Sequence, residues 1–146
     1  MTEKKKTWTQ CSKYIRLRDA IAFCKANSID LSEFNDYRDL PVKCCTCGII
    51  RTFRTVDAGH FHGRGLGGGS GTYFDERNIH AQCKRCNGFH GGQQAIYKEF
   101  MLEKYGQAVL DKLQVLHSAG RKYQYGELEA MGILFKEMFE ELLKEL

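Results

Sequence analysis

The chain has 146 residues, of which 42% are hydrophobic, 12% aromatic and 27% charged. This length fits one small domain with extensions, and the aromatic content argues against a disordered chain. No stretch approaches the roughly 20 apolar residues of a membrane span, and the first residues lack the apolar segment of a secretory signal. We therefore expect a folded protein that is neither membrane-bound nor secreted.

The net charge of +4 is unevenly distributed. Residues 127–146 hold six acidic residues and two lysines, so the rest of the chain is more basic than the total suggests. A basic body is typical of proteins with an anionic partner, although a solvated surface would show the same composition. Seven cysteines in a chain without a secretory signal favour metal binding over disulfides.

The first half of the chain alternates between helical and extended patterns. Residues 1–9 are predicted to be a basic, frayed tail, and about 11–26 an amphipathic helix, because apolar residues recur there at helical spacing. Segment 28–37 is ambiguous. The run IIRTFRTV (49–56) is β-branched and aromatic with basic residues interleaved, and it predicts a strand. A glycine-rich loop follows His62.

The second half of the chain is predicted to be mostly helical. Residues 73–82 are expected to be extended, and 84–90 to form a short helix that ends at two glycines. Further helices are predicted at about 93–104, 107–117 and 126–146. The apolar stripe of the last helix would serve internal packing or a homodimer contact. The chain then divides into a basic tail with a helix, a zinc-bound core and a helical extension: 1–27, 28–92 and 93–146.

Two Cys-x-x-Cys pairs predict a structural zinc site with four thiolate ligands: Cys44, Cys47, Cys83 and Cys86. The first pair has the form of a zinc knuckle, and the second opens a helix whose dipole stabilises thiolate charge. Cys45 competes with Cys44, but only Cys44 gives the two-residue spacing. The alternative to zinc is a set of reduced free thiols or a redox pair.

One histidine and two asparagines surround the second cysteine pair: His60, Asn78 and Asn87. The order His…Asn…Cys-x-x-Cys-Asn resembles the HNH, or His-Me finger, nucleases. This resemblance implies an α+β fold with a zinc-stabilised treble-clef ββα-metal (HNH-like) core and flanking α-helices.

A more extensive resemblance runs through most of the chain. The sequence is similar to the NinG/Rap family of lambdoid phages, which are recombination endonucleases that act on branched DNA such as Holliday junctions and D-loops. A member of that family would work in the cytoplasm of the bacterial host. The similarity rests on five segments: SKYIRLRDA (12–20), CxxCG (44–48), DAGHFHGRG (57–65), DERNIHAQCKRCNGF (75–89) and YKEFMLEKYG (97–106).

Family membership implies roles for the matching residues. His60 would be the general base that deprotonates a water beside the scissile phosphate, since a neutral imidazole suits that task at pH 7. Asn87 would bind one Mg²⁺ or Mn²⁺ through its amide oxygen, and the ion would stabilise the phosphate and the leaving oxygen. Asn78 would fix the backbone that carries His60.

The chain departs from the general HNH pattern at two positions. Many HNH enzymes have a metal-binding Asp or His directly before the catalytic histidine, where this chain has Gly59. Asp57 lies on the same face of an extended segment and could reach the same metal. The last HNH position is an asparagine rather than a histidine, and His90, one turn after Asn87, is an alternative ligand.

Several basic residues are candidates for DNA binding. Arg64, beside the glycine-rich loop, is expected to clamp a phosphate. His62, Lys84 and Arg85 are expected to contact the substrate, with Arg51 and Arg54 extending a basic track along DNA. Each of these residues could equally be solvated surface charge.

Two functions fit these patterns. The first is a nuclease for branched DNA, and the second is a noncatalytic treble-clef module that binds nucleic acid or protein. A binding module has no need of a base and a metal ligand together, so the presence of both His60 and Asn87 favours the nuclease. A zinc hydrolase is disfavoured because zinc held by four cysteines has no open coordination position.

Overall fold

The computed structural model describes all 146 residues and shows a mixed α+β architecture, as predicted. Four helices enclose two small antiparallel sheets: α1 (Glu3–Ala26), α2 (Gln94–Tyr105), α3 (Gln107–Ala119) and α4 (Tyr125–Leu143). The sheets pair β1 (Pro41–Lys43) with β2 (Ile50–Thr52), and β3 (Val56–His60) with β4 (Ile79–Cys83). No helix combines the length and the apolar character that crossing a membrane requires.

Helix α1 begins eight residues earlier than the pattern predicts, so the frayed tail expected at 1–9 is wrong. The Thr2 hydroxyl accepts a hydrogen bond from the Lys5 amide and caps the first turn, where Glu3 also suits the helix dipole. Thr7 is fully buried, and its hydroxyl donates to the Leu128 carbonyl at 2.7 Å. Contacts with α4, invisible to local periodicity, therefore order this segment.

The single strand predicted over 49–56 is also wrong, because the chain turns sharply in its middle. Phe53 is 4% exposed and packs edge-on against Tyr37, with the Arg16 guanidinium above its ring. The helical turn Phe53–Thr55 that buries this aromatic side chain separates β2 from β3. Each half then pairs with a different strand.

The β3–β4 hairpin presents two different faces. Val56 and Ala58 pack into hydrophobic clusters with α1 residues, and His60 lies on the same face by alternation. Asp57 and Gly59 point to the other face. A Cβ at Gly59 would lie 2.1 Å from Oε1 of the buried Gln82 side chain, so only glycine fits there unless Gln82 moves.

Helix α4 uses most of its apolar stripe inside the molecule. Leu128, Phe135 and Phe139 are buried in the two clusters that α1 shares with the hairpins. Ile133 and Leu134 remain 54% and 53% exposed. The stripe thus serves internal packing, and a homodimer contact through α4 stays a prediction.

A buried chain of hydrogen bonds ties α2 to the hairpin. The Tyr97 hydroxyl donates to the Gly59 carbonyl at 2.7 Å and lies 3.2 Å from Nδ1 of His80. Nε2 of His80 lies 2.7 Å from the Tyr105 hydroxyl. Burial lowers the pKa of His80 to about 3, so the ring is neutral and can donate at Nδ1 while it accepts at Nε2. This chain of hydrogen bonds fixes the backbone immediately before His60.

Tyr97→Phe should reduce the free energy of unfolding by about 1–3 kcal/mol, because it leaves the Gly59 carbonyl and a buried imidazole nitrogen without a partner. Urea denaturation at pH 7 measures the loss. Tyr125→Phe is the matched control, since Tyr125 is 67% exposed and should change stability by less than about 0.5 kcal/mol. Equal stability of the two variants would show that the hydrogen-bond chain contributes nothing.

Candidate zinc site and adjoining cleft

The two cysteine pairs meet at one end of the β3–β4 hairpin. The sulfur atoms of Cys44, Cys47, Cys83 and Cys86 all lie within 4.8 Å of one another. Cys47 Sγ and Cys83 Sγ are 3.8 Å apart, which matches the edge of a tetrahedron of about 3.8 Å given by roughly 2.3 Å zinc–sulfur bonds. The predicted ligand set is confirmed as a cluster that could bind a zinc ion.

The pKa values of these thiols are consistent with a cation bound between them. Burial opposes ionisation of Cys44, but hydrogen bonds from the Thr46 hydroxyl and backbone amides lower its pKa to about 6. Burial and the neighbouring sulfurs raise the pKa of Cys47 to about 12. Four thiolates this close repel one another unless a cation lies between them. Zinc would supply that charge.

Cys44 is favoured over Cys45 as the ligand. Cys45 packs with the cluster formed by Phe61 and residues of α2 and α3, and burial raises the pKa of its thiol well above the usual range. Cys11 and Cys24 are buried on α1. None of these three thiols belongs to the four-sulfur cluster.

Gln82 connects the zinc knuckle to the segment after the second cysteine pair. Its amide nitrogen donates to the Thr46 hydroxyl at 3.1 Å and to the Gly92 carbonyl at 2.9 Å. The Thr46 hydroxyl lies 3.3 Å from Cys44 Sγ. The position of the knuckle is therefore coupled through Gln82 to the helical turn Arg85–Phe89, which carries Asn87.

A cleft of about 380 Å³ opens beside this turn. It brings together four predicted site residues from two segments of the chain, Asp57 and Arg64 from one and Lys84 and Asn87 from the other. Helix α1 supplies another part of the wall. The remaining lining residues are Trp8, Ser12, Arg16, Arg54, Val56 and Ala58.

Asp57 forms the polar centre of the cleft. Its Oδ1 accepts a hydrogen bond from the Lys84 ammonium at 2.6 Å, and its Oδ2 accepts one from the Asn87 amide at 3.1 Å. No protein group donates to Oδ1 of Asn87. A carboxylate and an amide oxygen are the kinds of ligand that Mg²⁺ and Mn²⁺ prefer, although in this structure the NH₂ group of Asn87, rather than its oxygen, faces Asp57.

His60 lies next to the cleft rather than in its wall. Its ring stacks on Trp8 with centroids 4.7 Å apart, and its Nε2 lies 2.8 Å from the Tyr73 carbonyl oxygen. Because a carbonyl only accepts, the proton is assigned to Nε2, which leaves the lone pair on Nδ1. Burial, together with the Arg64 charge, lowers the pKa of His60 to about 4, so the ring is neutral at pH 7.

Trp8 is the residue that the sequence reasoning missed. It stacks on His60, lines the cleft and lies 5.3 Å from the Arg64 guanidinium. Its assignment to a frayed tail hid this role. The sequence did contain a signal for the longer helix, because Thr2 followed by Glu3 is a favourable helix start. A helix that begins there places Trp8, Ser12 and Arg16 at intervals of four residues, on one face.

Asn78 and His62 interact with each other across the glycine-rich loop. The buried Asn78 side chain accepts from the His62 amide at 2.8 Å and donates to the His62 carbonyl at 2.9 Å. It also donates to the Thr72 carbonyl, so it ties both ends of the loop. The His62 ring stacks on His117 at 4.7 Å and does not line the cleft.

The basic track expected along 51–85 is divided by the structure. Arg54 and Lys84 line the cleft, where both are paired with carboxylates. Arg51 and Arg85 line a different hollow beside the cysteines. Nε of Arg85 lies 3.0 Å from Nε2 of His90, which places His90 away from the Asp57 pair.

Comparison with known proteins identifies related sequences. Residues 2–145 match the family described as Bacteriophage Lambda NinG protein. Protein ninG of Salmonella phage P22 is 38% identical over 84 residues, and the proteins of the same name from Escherichia phage 933W and Escherichia phage lambda are 37% and 36% identical. Each match covers 58% of this chain and 39% of the relative, so the chain spans about two fifths of the length of these relatives. No solved structure matches.

Cys44→Ala should lose stoichiometric zinc, because three cysteines cannot complete the tetrahedral site, whereas Cys45→Ala should keep one zinc per chain. Elemental analysis of the purified variants, after dialysis against EDTA at pH 7, measures both. Zinc retained by Cys44→Ala and lost by Cys45→Ala would reverse the ligand assignment. Folded wild-type protein without zinc would overturn it.

Proposed function

Because the chain belongs to the NinG family of bacteriophage proteins, we propose that it is a metal-dependent DNA endonuclease of the HNH type. It hydrolyses phosphodiester bonds of branched recombination intermediates such as Holliday junctions and D-loops. One observation carries the proposal: oxygen ligands for a hard cation and arginines without carboxylate partners line one cleft beside a neutral histidine. In this proposal the β3–β4 hairpin and the Arg85–Phe89 turn form the ββα-metal unit of a treble clef.

Asp57 and Asn87 would hold the catalytic Mg²⁺ or Mn²⁺. The Lys84 ammonium is paired with Asp57 in the absence of a metal, and it would have to leave the carboxylate for a metal to bind there. An ion held by these residues would supply charge that stabilises the phosphate and the leaving oxygen. Gly59, where related enzymes carry a ligand, offers no donor side chain, which makes Asp57 the carboxylate available on this face.

His60 would act as the general base. With its Nε2 proton directed at the Tyr73 carbonyl, the Nδ1 lone pair is free to accept a proton from the attacking water. A pKa near 4 makes the imidazole a weak base in the absence of DNA. A phosphate entering the cleft brings negative charge, which raises the pKa back toward its usual value of about 6.5 and strengthens the base.

Arg16 and Arg64 would hold the phosphate. Both line the cleft, and neither is paired with a carboxylate. A guanidinium such as that of Arg64 can donate two parallel hydrogen bonds to phosphate oxygens, which fixes the orientation of the group as well as attracting it. Arg16 already donates from Nε to Ser12 and from Nη1 to the Phe53 carbonyl, so it would contribute mainly its charge and Nη2. Stacking against Trp8 limits the positions that Arg64 can adopt.

The preference for branched DNA rests on the family resemblance alone. The location in the host cytoplasm and a homodimer with two active sites likewise stay predictions. The alternative function is a noncatalytic zinc module that binds nucleic acid or protein. The cysteine cluster and the basic surfaces serve that function equally well, and only the His60, Asp57 and Asn87 constellation separates the two.

His60→Ala should reduce Mg²⁺-dependent cleavage of a four-way junction by at least about 100-fold, the usual contribution of a general base, while DNA binding is retained. The assay compares matched linear, nicked, D-loop and four-way-junction DNAs with and without Mg²⁺. Binding is measured by fluorescence anisotropy, and folding by circular dichroism. Cleavage at the wild-type rate by the folded variant would refute the base. Wild-type protein that binds these DNAs but never cuts them would favour the noncatalytic module.

Trp8→Ala should shift the pH dependence of cleavage. His60 must be neutral to act, so activity falls as the pH drops through its pKa. Removing the indole exposes the ring to water and raises that pKa from about 4 toward 6.5, so the acidic limb moves to higher pH.

Trp8→Phe is the matched control, because it keeps an aromatic ring over His60 and should give an intermediate shift. The His60 pKa is also measured by NMR titration without DNA, which does not depend on catalysis. An unchanged His60 pKa in Trp8→Ala would show that the indole does not control the base.

A further inference from the structure

The arginines of this chain fall into two groups. Five form ion pairs with a carboxylate: Arg18, Arg38, Arg54, Arg77 and Arg121. The remaining four, Arg16, Arg51, Arg64 and Arg85, have no carboxylate partner. A single exposed arginine without a partner needs no explanation, but these four occupy only two places on the surface.

The two places adjoin different residues of the Cys83–Asn87 segment. Arg16 and Arg64 line the cleft already described. Arg51 and Arg85 line a second hollow of about 270 Å³, together with His90, Gln93, Ile49 and three of the cysteines. Along the segment itself, Lys84 and Asn87 border the cleft, whereas Arg85 and Cys86 border the hollow.

Internal structure does not use the two guanidinium groups in the hollow. Neither donates a hydrogen bond to a cysteine sulfur or to a carboxylate. Arg51 makes one long contact, of 3.4 Å, with the carbonyl of its neighbour Ile50. Arg85 donates to His90, which holds the two side chains together at the rim and leaves the terminal nitrogens of Arg85 without partners.

We propose that Arg51, Arg85 and His90 form a second phosphate-binding subsite, which takes the sugar–phosphate backbone of DNA at a point away from the scissile phosphate. The inference rests on the proposed function and adds that DNA is held on both sides of the Arg85–Phe89 turn. Forked guanidinium donors match phosphate oxygens, and Nδ1 of His90, whose Nε2 faces Arg85, is the ring nitrogen left to donate. DNA that spans both sites would be fixed in register over Asp57 and Asn87.

The competing explanation is local charge balance. Zinc bound by four thiolates carries a formal charge of −2, and nearby arginines would stabilise it. The absence of hydrogen bonds from Arg51 and Arg85 to sulfur argues against this explanation. Removing the charges of Arg51 and Arg85 should reduce DNA affinity if they bind phosphate, and should reduce zinc content if they balance the charge of the zinc site.

The test uses the double variant Arg51→Gln/Arg85→Gln in the inactive His60→Ala background, so that DNA stays intact. Binding of a labelled four-way junction is measured by anisotropy over a range of salt concentrations. The double variant should lower the slope of log affinity against log salt by about 2 and weaken binding about tenfold or more at 0.1 M salt. Zinc content should remain one per chain.

Lys98→Gln/Lys136→Gln is the matched control, since it removes the same charge from exposed positions on α2 and α4 outside both sites. It should leave the slope nearly unchanged. A slope for Arg51→Gln/Arg85→Gln equal to that of this control overturns the second subsite. Loss of zinc with an unchanged slope overturns it in favour of charge balance.

A third variant separates this inference from the proposed function. Arg16→Gln/Arg64→Gln should also weaken binding, because those residues would hold the scissile phosphate. If only this cleft variant loses affinity, the second subsite is wrong and the proposed function stands. If the background protein binds no DNA, both are wrong.

Discussion

The confinement of four cysteine sulfurs within 4.8 Å of one another is the constraint on which the rest of the site depends. Cys44 and Cys47 lie in the turn between β1 and β2 of one sheet, whereas Cys83 ends β4 of the other sheet and Cys86 lies in the turn that follows. Sheets of two strands are marginal by themselves, so a bound cation would contribute directly to folding. A cation bound by the four cysteines would also fix the position of Asn87 relative to β3.

Helix α1 provides the second constraint. It packs across the apolar face of the β3–β4 hairpin and is itself held by α4, as the buried Thr7–Leu128 hydrogen bond shows. Trp8 therefore projects from a rigid element rather than from a loose terminus. The indole stacks on His60 and lies beside the Arg64 guanidinium, so one side chain contacts both the proposed general base and the proposed phosphate ligand.

Two buried hydrogen-bond systems meet at Gly59. Tyr97 holds its carbonyl from the α2 side, and Gln82 fills the space that a side chain at this position would need. Oε1 of Gln82 has no partner within the protein. The backbone that carries Asp57 and His60 is thus fixed from several sides, as the proposed alignment of two groups on one phosphodiester would require.

The sequence by itself determined the features that depend on local spacing. Two-residue separations identified the zinc cysteines, and the order of His60 and Asn87 around them indicated a nuclease-like arrangement. Only the tertiary structure decided which groups meet, because contacts between distant segments leave no trace in local periodicity. It placed Trp8 on His60, paired Asp57 with Asn87, and broke one expected strand to bury Phe53. Packing between segments far apart in the chain outweighed local propensity at each of these points.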